Sequence, residues 1–154
     1  MRFVTTMLVL SLVMAGCGGR SEAFTQVSDR VLVDTACKQF KTVTQVEEQA
    51  LVTDVESEQK RKILLDGLSK VCTPELVHRY LDSWDKHALA VTLHINRFQN
   101  TQLLKKSSTE AWIRVKVLGE VLDESGASPI NLQYQLMIKK IGSNWLIADI
   151  VLEE

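Results

Sequence analysis

Hydrophobic residues along this chain change their period once. Before about residue 87 they recur at three- and four-residue steps, and after it they alternate with polar ones. The first spacing suits a helix with one buried stripe, the second a strand with one covered face. From Arg20 to Asp66, 47 residues pass without glycine or proline, which argues for helix. Val27, Val31, Ala36, Phe40, Val43, Val46 and Ala50 form a stripe there, with one five-residue step. A long first helix is predicted at about 28–51, although its many β-branched residues lower helix propensity. Thr53 to Glu56 reads TDVE, a match to a capping box, and opens a second helix at about 54–71. Ile63, Leu64, Gly67, Leu68 and Val71 supply its apolar face. In CTPELVHRYLDSW, Thr73 suits the N-cap and Pro74 the first position of a third helix, about 74–86. Leu76, Val77, Tyr80, Leu81 and Trp84 line one side of it.

Four strands follow, at about 88–98, 109–122, 130–141 and 144–152. Leu89, Val91, Leu93 and Ile95 share a face of the first, with His94 on the other. Ala111, Ile113, Val115 and Val117 oppose Trp112, Arg114 and Lys116 in the second, and Ile130, Leu132, Tyr134, Leu136 and Ile138 share a face of the third. The fourth is apolar on both faces except Asn144 and Asp149. On an unbroken strand Asp149 shares a face with Trp145 and Ile147. Gly142 marks a tight hairpin, whereas 123–129 and 99–108 read as longer loops. Leu103-Leu104 would be exposed at the tip of the second loop, to touch a membrane or partner, or would fold back on the sheet edge. The expected class is α+β: three N-terminal helices on a curved four-stranded antiparallel sheet.

The first 17 residues have a different character. Arg2 is the only charge before Arg20, and 3–15 are mostly apolar. That run is shorter than the roughly 20 residues a membrane-spanning helix needs. A basic start, an apolar middle and a small-residue end describe a secretory signal. Met14-Ala15-Gly16-Cys17 resembles the lipobox of bacterial lipoproteins. The resemblance implies cleavage before Cys17, a diacylglyceryl thioether on its sulfur and an acylated new N-terminus. It divides the chain into a signal peptide at 1–16, a lipidated cysteine with a short tether at 17–25, and one domain at 26–154. Gly18 follows the cysteine where an aspartate commonly holds Gram-negative lipoproteins in the inner membrane. The expected place is therefore the cell envelope, lipid-anchored and facing the periplasm, with the outer membrane favoured.

Removing 16 of the 154 residues leaves 138, enough for a single core. Losing Arg2 leaves 17 basic residues against 19 acidic, a formal charge of −2. Such a balance excludes a nucleic-acid partner, which needs a basic face. Lys60-Arg61-Lys62, Lys105-Lys106 and Lys139-Lys140 are short clusters, solvated or touching anionic headgroups. With Cys17 lipidated, Cys37 and Cys72 remain as a pair in an oxidising compartment. One disulfide between them is expected; the alternative is two buried free thiols packing as small hydrophobes.

The last hairpin, KKIGSNWLIADIVLEE, resembles that of the cystatin-like superfold, particularly domains similar to nuclear transport factor two. Trp145, Ile147 and Asp149 occupy the positions that carry the likeness. One departure is the lack of a short strand between the early helices. The resemblance implies a cone-shaped fold with a cavity between sheet and helices. Its members include isomerases, dehydratases, a phospholipid carrier and scaffolding domains. Tyr80 and Trp84 would then line the cavity, and Asp149 would be its candidate acid or base. His78, Asp82 and Asp85 share a helix face without the convergence a metal needs. No catalytic set, cofactor or metal is expected. The leading expectation is a non-catalytic accessory domain that binds an envelope protein. A pocket protein for a lipid or small apolar ligand is the alternative, and a hydratase or isomerase using Asp149 comes third.

Overall fold

A computed structural model describes residues 27–87, 91–123 and 126–153. The signal segment, Cys17, the tether and Leu89 lie outside these residues. Three helices, α1 (Asp29–Val52), α2 (Ser57–Leu68) and α3 (Pro74–His87), precede four strands. These are β1 (Thr92–Lys106), β2 (Glu110–Asp123), β3 (Gly126–Ile141) and β4 (Asn144–Glu153). They form one antiparallel sheet in the order β1-β2-β3-β4, with no closure between β1 and β4. The α+β class read from the sequence is the class that forms.

Ser28 caps α1, its side chain accepting from the Val31 N–H at 3.3 Å. The buried stripe is offset from the expected one at its start. Leu32 takes the place given to Val31, which is 52% exposed. Leu32, Ala36, Phe40, Val43, Val46 and Ala50 then follow steps of three and four only, the spacing of one helix face.

The expected capping box at 53–56 does not form. Thr53 ends α1 instead, its N–H and hydroxyl both donating to the Gln49 carbonyl. With that hydroxyl engaged, α2 starts at Ser57, and its N-cap Glu56 makes no side-chain cap bond. Gly67 brings α2 onto α1: a Cβ there would lie 2.6 Å from both Val46 methyl groups. The cap of α3 is as expected, with Thr73 Oγ1 accepting from the Leu76 N–H at 3.4 Å.

Between α2 and α3 the chain touches the edge of β4. Thr73 N–H donates to the Ile147 carbonyl and Ile147 N–H to the Val71 carbonyl, both at 2.8 Å. Cys72 thereby makes a parallel bridge to Ile147. This one-residue extended contact lies between the early helices, where the sequence shows no strand signal.

The inner row of β2, namely Ala111, Ile113, Val115 and Val117, is fully buried beneath the helices, as are Leu136 and Ile138 on β3. β1 differs most from expectation, because it continues through the segment read as a loop. Its register shifts three times, skipping Asn96, then Asn100 and Thr101, then Leu104. Each bulge turns the strand and resets its alternation. Leu93, Ile95, Phe98 and Leu103 therefore all reach the core despite irregular spacing. Asn100 takes a positive φ of 47° within the second bulge. Gly119 faces the first, where a Cβ would stand 2.0 Å from the His94 carbonyl oxygen. Of the expected loop at 123–129, Asp123 and residues 126–129 are strand: β2 and β3 pair down to Asp123 and Gly126.

Cys37 and Cys72 are free thiols, so the expected disulfide is not formed. Their surroundings differ. Cys72 is held against β4 and feels Glu47, whereas Cys37 is half-buried on α1 and feels Asp34. Burial, the larger cause in each, pushes the thiols up to about 11 for Cys37 and about 12 for Cys72.

Candidate functional site

A cavity of about 240 Å³ opens between α1, α3 and one end of the sheet. Phe40, Thr44 and Glu47 reach it from α1, their spacing of four and three placing them on one helix face. Tyr80 enters from α3, and Tyr134 and Ile150 from the inner rows of β3 and β4. Val91, Thr92, Leu93 and Val121 complete the wall. Phe40 meets Tyr134 edge-on, with ring centroids 5.1 Å apart.

Among the described residues, Glu47 is the one charged residue lining this cavity, with no lysine, arginine or histidine beside it. Burial pushes its carboxyl up to about 7, and a hydrogen bond with Tyr80 opposes the rise. Burial and the Glu47 charge push the Tyr80 phenol well above its ordinary value, and Tyr134 rises for the same two reasons. Beside Glu47, Glu48 pairs with His94 Nδ1 at 3.2 Å. A carboxyl near neutrality among phenols can donate a proton to a polar ligand atom or, once ionised, pair with a cation.

Of the three expected pocket residues, only Tyr80 lines this cavity. Trp84 borders a separate hollow between α2 and α3, beside Leu51, Arg61 and Asp85. Arg61 Nε and Asp85 lie 3.3 Å apart there. Asp149 is on the other side of the sheet. Met137 pairs with Asp149 and Ile138 with Ile147, so Ala148 is bulged out. That extra residue reverses the alternation, and Asp149 leaves the face of Trp145 and Ile147. Its carboxylate binds Arg79 at 2.9 Å, while Arg79 also donates to the Ala148 carbonyl at 3.1 Å. The hydratase or isomerase expectation therefore loses its acid.

His78 edges an apolar groove of about 360 Å³ that includes Leu65, Val77, Leu81, Ile141 and Leu146. Among the described residues no histidine, cysteine and carboxylate set converges as a metal site. On the outer face of the sheet Arg114 grips Glu153 at 2.9–3.0 Å, joined by Gln133 and Gln135. Those contacts, Arg114 first, hold the Glu153 carboxyl down to about 2.

Glu47 is not singled out by the sequence reading, because it belongs to no motif and is not one of the apolar positions of the α1 stripe. One signal was present: Val43, Glu47 and Ala50 are spaced four and three apart, so an acid stands in line with the buried stripe.

No family model matches this chain, and no curated protein does. Solved structures that share its fold include two with TM-scores of 0.50 and 0.52. One is the intermembrane space region of the chloroplast protein ARC6, with 9% identity and a TM-score of 0.50, covering 82% of this chain and 97% of that one. The other is the putative transfer protein TraH from the Gram-positive conjugative plasmid pIP501, with 7% identity and a TM-score of 0.52, covering 84% and 97%. At such identities the likeness is one of fold. Among the described residues no helix is long and apolar enough to cross a membrane.

Proposed function

We propose that this protein is a lipid-anchored accessory domain of the bacterial cell envelope, facing the periplasm and acting by binding rather than catalysis. The observation that carries the reading is Met14-Ala15-Gly16-Cys17 closing a short apolar run. Several acyl chains, at ~0.8 kcal/mol per buried methylene, would hold it far more firmly than one reversible chain. Gly18 supports the outer membrane over the inner. Lys106 Nζ donates to the Val27 carbonyl and pairs with Asp29, so Val27, the first described residue, lies beside the β1–β2 turn. That end would sit against the bilayer. The partner would be an envelope protein, and the two solved structures of like fold are named for an intermembrane space and for conjugative transfer. They support the setting by analogy alone.

Labelling growing cells with an alkyne fatty acid tests the anchor. The wild-type protein should take up label and sediment with membranes, and Cys17→Ser should do neither. An unlabelled wild-type protein released with soluble periplasmic contents would end this reading.

A second reading is favoured by the cavity around Glu47: the domain holds a small ligand. Its volume of about 240 Å³ is below the roughly 300–1,000 Å³ usual for ligand pockets. A whole phospholipid is therefore a poor fit and a compact molecule a better one. Native mass spectrometry of protein taken directly from its host tests this: retained small-molecule mass supports it, and a bare polypeptide mass opposes it.

A further inference from the structure

We propose that the cavity binds a small organic amine in its protonated form, the ammonium on the Glu47 carboxylate and the apolar body against Phe40, Tyr80 and Tyr134. This rests on the small-ligand reading above. Three observations carry it. The first is the sign of the lining: among the described residues, one carboxyl and no cationic side chain. An ammonium would supply the missing counter-charge inside a site where burial strengthens the attraction.

The second is the aromatic wall. Phe40, Tyr80 and Tyr134 come from three different elements onto one cavity, and Phe40 and Tyr134 stand edge to face. Aromatic faces attract cations through their quadrupole, and grouped rings are a known means of holding organic ammonium groups. The rings also cover an apolar ligand body, which an inorganic cation would not offer.

The third is position. The cavity is walled by Val91 to Leu93 at the start of β1, while Val27, the first described residue, lies beside Lys106 at its end. The long axis of β1 separates the two. With the anchor proposed above, a cavity at the far end would be presented to the aqueous compartment, which favours a dissolved amine over a bilayer lipid.

The titratable groups facing Glu47 agree with this. Tyr80 comes from α3, Tyr134 from β3 and Cys72 from the α2–α3 junction, and none brings positive charge. Burial without a cation raises the carboxyl to about 7; a bound ammonium would lower it again. Amine binding should therefore tighten as pH rises from 5.5 to 8.

Calorimetric titration of the full chain in detergent micelles tests the assignment, with benzylamine, benzyl alcohol and benzoate as probes. Benzylamine should saturate one site, at least tenfold more tightly than either other probe, and at least fivefold more tightly at pH 8 than at pH 5.5. Glu47→Gln should remove that preference while keeping the native circular dichroism spectrum. Benzyl alcohol or benzoate binding as tightly as benzylamine, unchanged in Glu47→Gln, would overturn the amine assignment and leave the small-ligand reading standing. No binding of any probe, together with a bare mass from the host, would overturn both.

Discussion

Tyr80 on α3 shares a hydrogen bond with the Glu47 carboxyl on α1. Two helices that both lie over the sheet thus meet through an acid and a phenol at the cavity. The pair has a cost, because a carboxyl taken from water favours its neutral form. It keeps an acid in a wall made otherwise of aromatic, aliphatic and threonine side chains.

The Glu47 shift makes stability depend on pH. Its folded value of about 7 is above the ordinary 4.5. Between those values the folded protein keeps the proton and the unfolded chain has lost it, so stability falls as pH rises through that window. Some 2.5 units correspond to about 3 kcal/mol as an upper bound. Urea unfolding from pH 4.5 to 8 should show the decline in the wild type and a flatter profile in Glu47→Gln, which should be the more stable protein at pH 8. Parallel profiles would show that the carboxyl is solvated.

Gly119 cannot accept a side chain. A Cβ would stand 2.0 Å from the His94 carbonyl, a backbone atom with no rotamer to move to. Gly119→Ala should cost roughly 3 kcal/mol or more, or prevent folding. Chemical denaturation, or the yield of folded protein by circular dichroism, provides the measurement.

Two threonines that look alike as caps should behave differently. Thr73 caps α3 and is fully buried, so Thr73→Ala should cost about 1–2 kcal/mol. The Thr53 hydroxyl donates to the end of α1 and caps nothing in α2, so Thr53→Ala should stay within about 0.5 kcal/mol. Equal losses in thermal unfolding would restore the capping box.

Cys37 and Cys72, at about 11 and about 12, hold almost no thiolate at neutral pH. A thiol-specific chromogenic reagent should leave both unmodified in the native protein and titrate both after denaturation. Dithiothreitol should leave the melting temperature unchanged; breaking a bridge would cost about 2–5 kcal/mol and lower it.

Where the chain keeps its period, the elements were legible. Ala111, Ile113, Val115 and Val117 alternate without interruption, and that row is fully buried. Thr73-Pro74 marks the start of α3 because the cap and the first-turn proline act within a few residues of each other. The misreadings in β1 and β4 fall where extra residues are inserted into the pattern. Asn96, Asn100, Thr101 and Leu104 interrupt the alternation of β1, so its second half read as a loop. Ala148 does the same in β4 and sends Asp149 to the opposite face. A bulge is a relation between two strands, and one strand's sequence does not display its partner.

The sequence by itself determined the class of the fold, the order of helices and strands and the lipobox reading, because these depend on periodicity and on short contiguous signals. Only the tertiary structure decided which acid enters the cavity. Glu47 and Tyr80 are 33 positions apart in the chain, and their meeting follows from the packing of α1 and α3 over the sheet. The free thiols were decided the same way. A disulfide needs two particular side chains at one place and angle, and spacing along the chain does not specify either.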